Sequence, residues 1–263
     1  MEQQQTWRRE LPNYKQVAPE IEDLPFQARE AINVLRGNIQ LSGANLKVIA
    51  ITSAVANEGK SSIAFRLTKS LAGLKKRTLY LDCDIRNSVT MSRYGMSGQV
   101  QGLTEYLCGA AAMNDIVYRT PDKYMDVILT GAVAPNPSEL VSGKLFTLLL
   151  DEMRKRYDYI IVDTPPINPV IDGTMIAKRC DGTVMVIESG QTDRMQAVRA
   201  KRQLEYAGIK LLGAVLNKVG AAKKGYGYGY GYGYGYGYGY GYGYGEKHQK
   251  RSGKKADKKE AKD

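Results

Sequence analysis

Short apolar runs alternate with longer amphipathic stretches between residues 45 and 218, and this alternation limits the fold more than any other feature of the sequence. Strands that are separated by helices pair in parallel, and the helices cover both faces of the sheet. The apolar runs contain few polar residues, which is typical of strands buried on both faces. We therefore predict an α/β fold, a mostly parallel sheet with strands near 46–52, 78–81, 125–129, 159–162, 183–187 and 211–216 and helices near 60–73, 137–156, 170–178 and 192–206.

The composition argues against several classes of function. The chain has one histidine, His248, in a polar tail, so histidine base catalysis and histidine metal sites are not expected. Its three cysteines are far apart and form no C-x-x-C pair, which argues against a disulfide framework and against a zinc site. The sequence has no run of about 18 apolar residues and no apolar signal-peptide core near its start. We therefore expect a cytoplasmic protein.

Three segments are predicted along the chain. Residues 1–24 are polar and are expected to be extended, and residues 25–220 are expected to form one domain that begins with a helix over 25–42. Residues 221–263 contain a strict Gly-Tyr alternation and then a basic stretch, and we expect them to be disordered because ordering a glycine at every second position costs much entropy. The alternating tyrosines are Tyr226, Tyr228, Tyr230, Tyr232, Tyr234, Tyr236, Tyr238, Tyr240, Tyr242 and Tyr244.

The positive charge of the chain is concentrated in this tail. Residues 221–263 carry a net charge of +6, out of +11 for the whole chain. A basic tail can contact anionic lipid, nucleic acid or acidic protein, but a solvated tail is the simpler explanation. We therefore expect no nucleic-acid partner.

A phosphate-binding loop is predicted after the first strand, which runs into SAVANEGKSS and then into a helix. Such a loop points backbone N–H groups and the positive end of a helix at phosphates. Lys60 would reach the β- and γ-phosphates, and Ser61 would offer a hydroxyl to Mg²⁺. The first glycine of the pattern G-x-x-x-x-G-K-[ST] is Ala54 here, so the match depends on the strand–loop–helix context. The predicted nucleotide-binding residues of the loop are Ala56, Asn57, Glu58, Gly59, Lys60, Ser61 and Ser62.

Polar residues end three other strands. Asp82 and Asp84 close the strand in LYLDCDIRN, and Asp163 ends the strand in YDYIIVDTPP, where a Walker B carboxylate helps to hold Mg²⁺. The carboxyl ends of parallel strands meet at one edge of a sheet, so these carboxylates are expected near Lys60, with one of them free to act as a base. Asn217 ends the last strand and could bind a base such as adenine, although an asparagine in a turn is an equally good explanation.

Taken together, these motifs resemble the bacterial tyrosine kinases that regulate capsule and exopolysaccharide synthesis, in their separate cytoplasmic form. The similarity extends over about residues 20–220 and the tyrosine-rich tail. It rests on GKSS as Walker A, LYLDCDIRN as a second or A′ motif, IIVDTPP as Walker B and the C-terminal tyrosine cluster. The resemblance implies a P-loop NTPase fold and an ATP-dependent protein-tyrosine kinase that phosphorylates its own tail.

The resemblance also implies a role for each residue of the site. Lys60 and Ser61 would bind ATP·Mg²⁺, and Asp82 would accept the proton of the tyrosine hydroxyl. Asp84 and Asp163 would position the metal ion together with Ser61. The ten tail tyrosines would be the autophosphorylation sites, presented to neighbouring subunits of a ring.

Contacts with partners follow from the same resemblance. The family's N-terminal helix carries an E-x-x-R-x-x-R motif that packs subunits together, and the matching residues here are Glu30, Asn33 and Arg36, so the middle arginine is replaced. Members of this form are usually activated by the cytoplasmic tail of a membrane adaptor, which would recruit the chain to the inner face of the plasma membrane. Protein tyrosine substrates and a phosphotyrosine phosphatase are the other implied partners.

Two alternatives stay open at this point. Positioning and partitioning ATPases share the α/β body, but they carry a signature lysine where this chain has Val55, and they lack a tyrosine run. A nucleotide-gated scaffold whose Gly-Tyr tail self-associates by stacking would also fit the sequence. Formation of phosphotyrosine with ATP·Mg²⁺ separates a kinase from both.

Overall fold

The computed structural model describes residues 15–20, 22–96 and 100–220. The ten tail tyrosines and most of the predicted N-terminal segment lie outside the described residues. The predicted limits of the three segments therefore stay predictions.

The described residues form a series of strands and helices in alternation. The strands are β1 Val48–Ser53, β2 Thr78–Asp82, β3 Val117–Arg119, β4 Met125–Ile128, β5 Tyr159–Asp163, β6 Gly182–Glu188 and β7 Leu211–Asn217. The helices are α1 Phe26–Leu41, α2 Lys60–Ala72, α3 Thr90–Arg93, α4 Leu103–Leu107, α5 Pro137–Ser142, α6 Lys144–Arg156, α7 Asp172–Ala177 and α8 Arg194–Tyr206, with one 3₁₀ turn at Met113–Asp115. Within the described part of the chain, no helix combines the length and apolar character needed to cross a membrane.

The seven strands of the described residues form one sheet in the order β3-β4-β2-β5-β1-β6-β7. Neighbouring strands are parallel except for β3, which runs antiparallel to β4. This arrangement confirms the predicted mostly parallel α/β sheet. The sequence does not predict β3, because three residues are too few to show an alternating pattern.

One predicted helix is divided in two. The stretch 137–156 contains α5 and α6, and Gly143 between them is extended, with ψ 164°. Apolar residues continue at helical spacing across this break, so periodicity alone does not reveal it. The prediction of a single helix over 137–156 is therefore wrong at this glycine.

Helices cover both faces of the sheet. On one face, Phe65 of α2 packs in a cluster with Ile49 of β1. On the other face, Phe146 of α6 packs in a cluster with Val48 of β1. Successive residues of a strand point to opposite faces, so a strand covered on both sides is apolar throughout its length. All six residues of β1 are buried, in agreement with this arrangement.

The carboxylate of Asp181 forms hydrogen bonds with the start of the central strand β1. Its Oδ2 accepts hydrogen bonds from the backbone N–H groups of Lys47 and Val48, both at 2.8 Å, and from Nη1 of Arg154, also at 2.8 Å. Burial alone would raise the pKa of Asp181, but the hydrogen bonds from Arg154 and the backbone outweigh burial and lower the pKa below its usual value of 3.8. The ionised carboxylate is therefore the form that stabilises the fold.

Asp181→Asn is expected to lower the free energy of unfolding at neutral pH by about 1–3 kcal/mol, because hydrogen bonds to a charged group are lost. The pKa of Asp181 is lower in the folded chain than in the unfolded chain. Its stabilisation is therefore complete above the unfolded value and is lost as the pH falls through the folded value. Urea titrations of both proteins should show a difference at pH 7 that shrinks below pH 3.8. A difference that did not change with pH would contradict this account.

Candidate active site

The carboxyl ends of three neighbouring strands carry the predicted site. Strands β2, β5 and β1 are adjacent in the sheet, and the last residues of β2 and β5, Asp82 and Asp163, are register partners. Strand β1 ends at Ser53 next to β5, and the predicted P-loop follows it. The fold thus brings the loop and the aspartates to one edge of the sheet, where the parallel topology predicts them.

The P-loop contains two residues with left-handed backbone. Asn57 has φ 67°, and Gly59, which directly precedes α2, has φ 93°. A Cβ atom at Gly59 would collide with Nδ2 of Asn217, so a larger residue would strain the left-handed backbone and displace that side chain. Ala54, which replaces the first glycine of the pattern, is fully buried and is not among the described residues with positive φ. Its methyl group is therefore accommodated without backbone strain.

The end of β7 holds the P-loop in place. Nδ2 of Asn217 donates to the carbonyl of Glu58 at 2.9 Å, and Nζ of Lys218 donates to the carbonyl of Asn57 at 2.8 Å. The side chain of Glu58 is buried and accepts the backbone N–H of Val55 at 2.8 Å. Only the backbone of Glu58 is therefore available to a phosphate group. The amide nitrogen of Asn217 already donates a hydrogen bond to the loop.

The other predicted phosphate-binding residues lie in the loop and in the first turn of α2. Ala56 and Asn57 are exposed in the loop, and Lys60, Ser61 and Ser62 make up the first turn of α2. The first backbone N–H groups of a helix have no partner within the helix, and they carry its positive dipole end. This turn is therefore suited to bind an anion.

Lys60 faces the carboxylates. Its Nζ lies 2.7 Å from Oδ2 of Asp84 and 3.8 Å from Oδ1 of Asp163. Burial alone would lower the pKa of Lys60, but attraction by Asp163 and Asp84 outweighs burial and raises the pKa, so the ammonium group stays charged. Together with Asp82, three carboxylates surround this one cation, and such an excess of negative charge favours a divalent metal ion.

Asp82 is fully buried, and its carboxylate accepts hydrogen bonds. Its Oδ1 accepts the backbone N–H of Asp84 at 3.1 Å, and its Oδ2 accepts the hydroxyl of Ser88 at 2.6 Å. A carboxylate has about four lone-pair directions, so these two bonds and a further one from Thr90 leave Asp82 able to accept another hydrogen bond. Burial raises the pKa of Asp82, although its hydrogen bonds act in the opposite direction. A raised pKa makes this carboxylate a stronger base than an exposed aspartate.

The two oxygens of Asp163 have different surroundings. Oδ2 accepts the hydroxyl of Tyr80 at 3.0 Å, whereas Oδ1 is buried and makes no hydrogen bond. Burial raises the pKa of Asp163 to about 6, although the nearby Lys60 acts to lower it. Carboxylate oxygens are the ligands that Mg²⁺ prefers. A buried one without a hydrogen bond, at the end of β5 and beside the P-loop, therefore fits a Mg²⁺-nucleotide.

A metal ion at this edge would depend on the nucleotide for further ligands. Across residues 15–20, 22–96 and 100–220 there is no group of three or more His, Cys, Asp or Glu that could hold a metal ion by itself. In phosphate-transfer sites, Mg²⁺ is bound by one or two carboxylates together with phosphate oxygens and water. Asp84, Asp163 and the hydroxyl of Ser61 would complete such a site.

The predicted oligomerisation residues lie on α1, away from this edge. Nη1 of Arg36 donates to the carbonyl of Ser70 in α2 at 3.0 Å and to its hydroxyl at 2.8 Å. The Ser70 hydroxyl donates to Asn33 at 3.2 Å, and the Asn33 amide donates to Glu30 at 2.9 Å. Asn33, which replaces the middle arginine of the motif, therefore joins α1 to α2 within the subunit.

Sequence reasoning misses two supporting residues of the site. Tyr80 binds the Walker B carboxylate of Asp163, and Thr192 binds the buried side chain of Glu58 in the P-loop. Tyr80 could have been found, because it lies two residues before Asp82 and so on the same face of β2. Thr192 comes from a distant part of the chain, and no local pattern reveals it.

Proteins of known sequence are similar to this chain over most of its length. The sequence model of a family described as an AAA domain matches residues 46–193. The chain is 41% identical to the tyrosine-protein kinase CpsD of Streptococcus agalactiae over 201 residues, which cover 76% of this chain and 88% of that protein. It is 37% identical to the tyrosine-protein kinase YwqD of Bacillus subtilis (strain 168) over 202 residues, which cover 76% of this chain and 85% of that protein.

Solved structures of kinase domains share the fold. The kinase domain of the Escherichia coli tyrosine kinase ETK matches with a TM-score of 0.71 at 26% identity and covers 85% of this chain and 98% of that one. The VpsO kinase domain matches with a TM-score of 0.69 at 32% identity, and the match covers 73% of this chain and 95% of that one. The septum site-determining protein MinD of Pyrococcus horikoshii, a complex with Mg-ADP, matches at 20% identity with a TM-score of 0.58, which shows the fold alone. With relatives this similar over most of both chains, the protein belongs to the bacterial tyrosine kinases and is an enzyme of that class.

Proposed function

We propose that the protein transfers the γ-phosphoryl group of ATP to tyrosine hydroxyls and that the tyrosines of its own tail are acceptors. One observation carries the proposal. At the carboxyl edge of β1, β2 and β5, the ammonium group of Lys60 and the carboxylates of Asp82, Asp84 and Asp163 meet at the start of α2. This arrangement combines a phosphate-binding loop with two carboxylates that can bind a metal ion, those of Asp84 and Asp163. The third carboxylate, that of Asp82, can then act as a base.

Each residue has a separate task in this proposal. The P-loop backbone and Lys60 hold the phosphates, and Asp84, Asp163 and Ser61 hold Mg²⁺. When bound, ATP·Mg²⁺ supplies the phosphoryl group and the positive charge that neutralises it. Asp82 accepts the proton of the tyrosine hydroxyl, whose pKa is near 10 in water. Burial raises the pKa of Asp82, which assists this transfer.

Phosphotyrosine formation by the purified full chain tests the proposed activity. Incubation with ATP and Mg²⁺ should add phosphate to the tail, as detected by mass spectrometry of its peptides. Lys60→Met should form much less phosphotyrosine, and a variant with all ten tail tyrosines replaced by Phe should lose most of it. Hydrolysis of ATP without phosphotyrosine would contradict the proposal in favour of a positioning ATPase. Nucleotide binding without either reaction would contradict it in favour of a scaffold.

Asn217→Ala is expected to weaken the binding of ADP and GDP alike, by up to about tenfold, because one hydrogen bond to the P-loop is lost. Calorimetric titration of both nucleotides measures the effect. Lys218→Ala is the matched control, since it removes the second contact from the end of β7 to the loop and should also affect both nucleotides equally. A loss confined to ADP would instead assign Asn217 to the recognition of adenine, which the sequence also allows.

The place where the chain leaves the sheet supports the proposed role of the tail as an acceptor. Strand β7 is parallel to β6, so the chain leaves the sheet at Asn217, on the active-site edge. Tyr226 follows nine residues later, a reach of at most about 30 Å. Tyr244 follows 27 residues later, with a typical span of roughly 28 Å for a glycine-rich chain. Both distances allow delivery to the subunit's own site or to that of a neighbour, and only the family resemblance favours the neighbour.

Helix α1 is proposed as the contact between subunits of a homo-oligomeric ring. Phe26, Val34 and Leu41 are 69%, 61% and 87% exposed, and their spacing of eight and seven residues puts them on one side of the helix. Glu30 lies on the same side, one turn from Phe26 and one turn from Val34. Such exposed apolar residues around a charged one are typical of a surface that contacts another protein.

Arg36→Ala and Glu30→Ala are expected to shift the protein toward monomer and to lower autophosphorylation at a fixed concentration, because both residues would bind a neighbouring subunit. Sedimentation velocity measures the shift. Ser70→Ala is the matched control, since it removes a partner of Arg36 within the subunit and leaves Arg36 itself in place. The same shift in Ser70→Ala would attribute the effect to packing of α1 on α2. Unchanged sedimentation of Arg36→Ala and Glu30→Ala would contradict the assembly role.

Further partners are proposed on the strength of the family resemblance alone. They are the cytoplasmic tail of a membrane adaptor that recruits the kinase to the inner face of the plasma membrane, other protein tyrosine substrates and a phosphotyrosine phosphatase. The proposed outcome is regulation of capsular or exopolysaccharide synthesis and export. Cells that carry Asp82→Asn should therefore differ from the wild type in the amount of surface polysaccharide, and equal amounts would contradict this part of the proposal.

A further inference from the structure

The hydroxyl of Tyr80 lies inside the molecule, directly beside the Walker B carboxylate. Tyr80 is on β2 and is fully buried. Its hydroxyl donates to Oδ2 of Asp163 at 3.0 Å and lies 3.0 Å from the hydroxyl oxygen of Thr90. An ionised carboxylate only accepts hydrogen bonds, so the single proton of Tyr80 goes to Asp163. The hydroxyl of the tyrosine is thus committed to one oxygen of the Walker B carboxylate.

Aromatic packing fixes the ring of Tyr80. Phe65 contacts it edge-on, with ring centroids 5.0 Å apart and the two planes at 64°. Phe65 is itself stacked on Tyr94 at a centroid distance of 4.0 Å. Close packing of this kind allows a buried ring few alternative positions. The hydroxyl is therefore held at a constant place relative to the end of β5.

This hydroxyl distinguishes the two oxygens of Asp163. Oδ2 is bonded to Tyr80, whereas Oδ1 makes no hydrogen bond and faces Nζ of Lys60 at 3.8 Å. The last torsion of an aspartate is broad, so an unrestrained carboxylate turns readily about it. A hydrogen bond to one oxygen restricts this rotation and keeps the other oxygen directed at the P-loop side of the site.

We propose that Tyr80 is a positioning residue of this kinase. By holding one oxygen of Asp163, it presents the other oxygen to the Mg²⁺ of the bound nucleotide. This inference rests on the proposed function for the place of the metal ion. A tyrosine that only filled the core would affect stability and leave metal binding unchanged, and the two roles therefore predict different measurements.

Tyr80→Phe removes the hydroxyl and keeps the ring, so it isolates this contact. The probe is Mn²⁺, which takes the place of Mg²⁺ and is detected by electron paramagnetic resonance, titrated into the full chain saturated with ADP. We expect the dissociation constant of Mn²⁺ to rise about tenfold, which is usual when a residue that orients a metal ligand is lost. Binding of ADP without metal should stay unchanged. The Mg²⁺ concentration for half-maximal phosphorylation should rise by the same factor as the Mn²⁺ constant.

Tyr157→Phe is the matched control. Tyr157 is also buried, and its hydroxyl donates to the carboxylate of the buried Asp126 at 2.9 Å, outside the proposed site. This variant should lower the melting temperature about as much as Tyr80→Phe does and leave Mn²⁺ binding unchanged. A second comparison uses Asp163→Asn, in which the addition of Tyr80→Phe should cause no further loss of Mn²⁺ affinity.

Several outcomes would overturn the proposal. They are wild-type Mn²⁺ affinity in Tyr80→Phe, an equal loss of affinity in Tyr157→Phe, and the absence of Mn²⁺ binding by the wild-type ADP complex. An additional loss on top of Asp163→Asn would do the same, because Tyr80 would then act through another group. If the wild type bound Mn²⁺·ADP but formed no phosphotyrosine, the proposed function would fail, and the Mn²⁺ titrations would still decide the role of Tyr80.

Discussion

Asp82→Asn is expected to slow tyrosine phosphorylation by a factor of about 10²–10⁴, the usual contribution of a positioned base, while binding of ADP·Mg²⁺ changes little. Asparagine has almost the same shape as aspartate. Its oxygen can still accept the backbone N–H of Asp84, and the Ser88 hydroxyl can turn to accept from the new amide group. The substitution therefore removes the negative charge and the basicity while it preserves the local structure.

Two further variants serve as comparisons for Asp82→Asn in this experiment. Lys60→Met should weaken both nucleotide binding and phosphorylation, because it removes the cation that would bind the phosphates. Asp126→Asn changes a buried aspartate of β4 that lies outside the proposed site, so it reports the general cost of such a substitution to the fold. Initial rates of phosphotyrosine formation, measured at saturating ATP and Mg²⁺, give the comparison. A near-normal rate for Asp82→Asn would exclude Asp82 as an essential base.

Replacement of all ten tail tyrosines with Phe is expected to keep the proposed oligomer assembled during incubation with ATP·Mg²⁺, whereas the wild type should dissociate. Each phosphate adds a charge of about −1.5 to −2 at pH 7. Four phosphates would therefore add about −6 to −8, which cancels or reverses the +6 of residues 221–263. In this account, a basic tail would be attracted to the carboxylates and nucleotide of the active site, and an anionic tail would be repelled by them.

The number of phosphates, and not the identity of any one tyrosine, determines dissociation in this account. Each single Tyr→Phe variant of the tail should therefore dissociate almost like the wild type. Sedimentation velocity on samples with increasing phosphate content, counted by intact mass, should show a graded loss of the oligomer. If one single replacement blocked dissociation, the explanation by charge would be wrong, and a specific docking site for that tyrosine would be needed.

The sequence predicts the active-site edge because its elements are local and strongly patterned. The apolar run of β1, the GKSS turn and the aspartates at the ends of β2 and β5 each occupy a few consecutive residues, and the parallel topology then brings them together. What supports these residues could not be predicted in the same way. The hydroxyl of Thr192 meets the side chain of Glu58 across 134 positions of sequence, and Asn217 meets the backbone of Glu58 across 159.

The errors in the predicted fold have equally local causes. Gly143 interrupts a stretch whose apolar residues keep helical spacing, so the division between α5 and α6 depends on one backbone angle that a periodicity argument does not detect. Strand β3 is short and pairs antiparallel at the edge of the sheet, where few residues are needed. Neither error affects the site, because the central strands β2, β5 and β1 position it.

The contact between the end of β7 and the P-loop has a consequence for the order in which the enzyme becomes functional. The P-loop is synthesised early, but the side chains that bind its carbonyl groups come much later. Asn217 is 159 positions after Glu58, and Lys218 is 161 positions after Asn57. In a growing chain, the P-loop therefore lacks these two hydrogen bonds until β7 has left the ribosome. Residues 221–263 follow this strand, so the tyrosines proposed as acceptors leave the ribosome only after the residues that complete the ATP site.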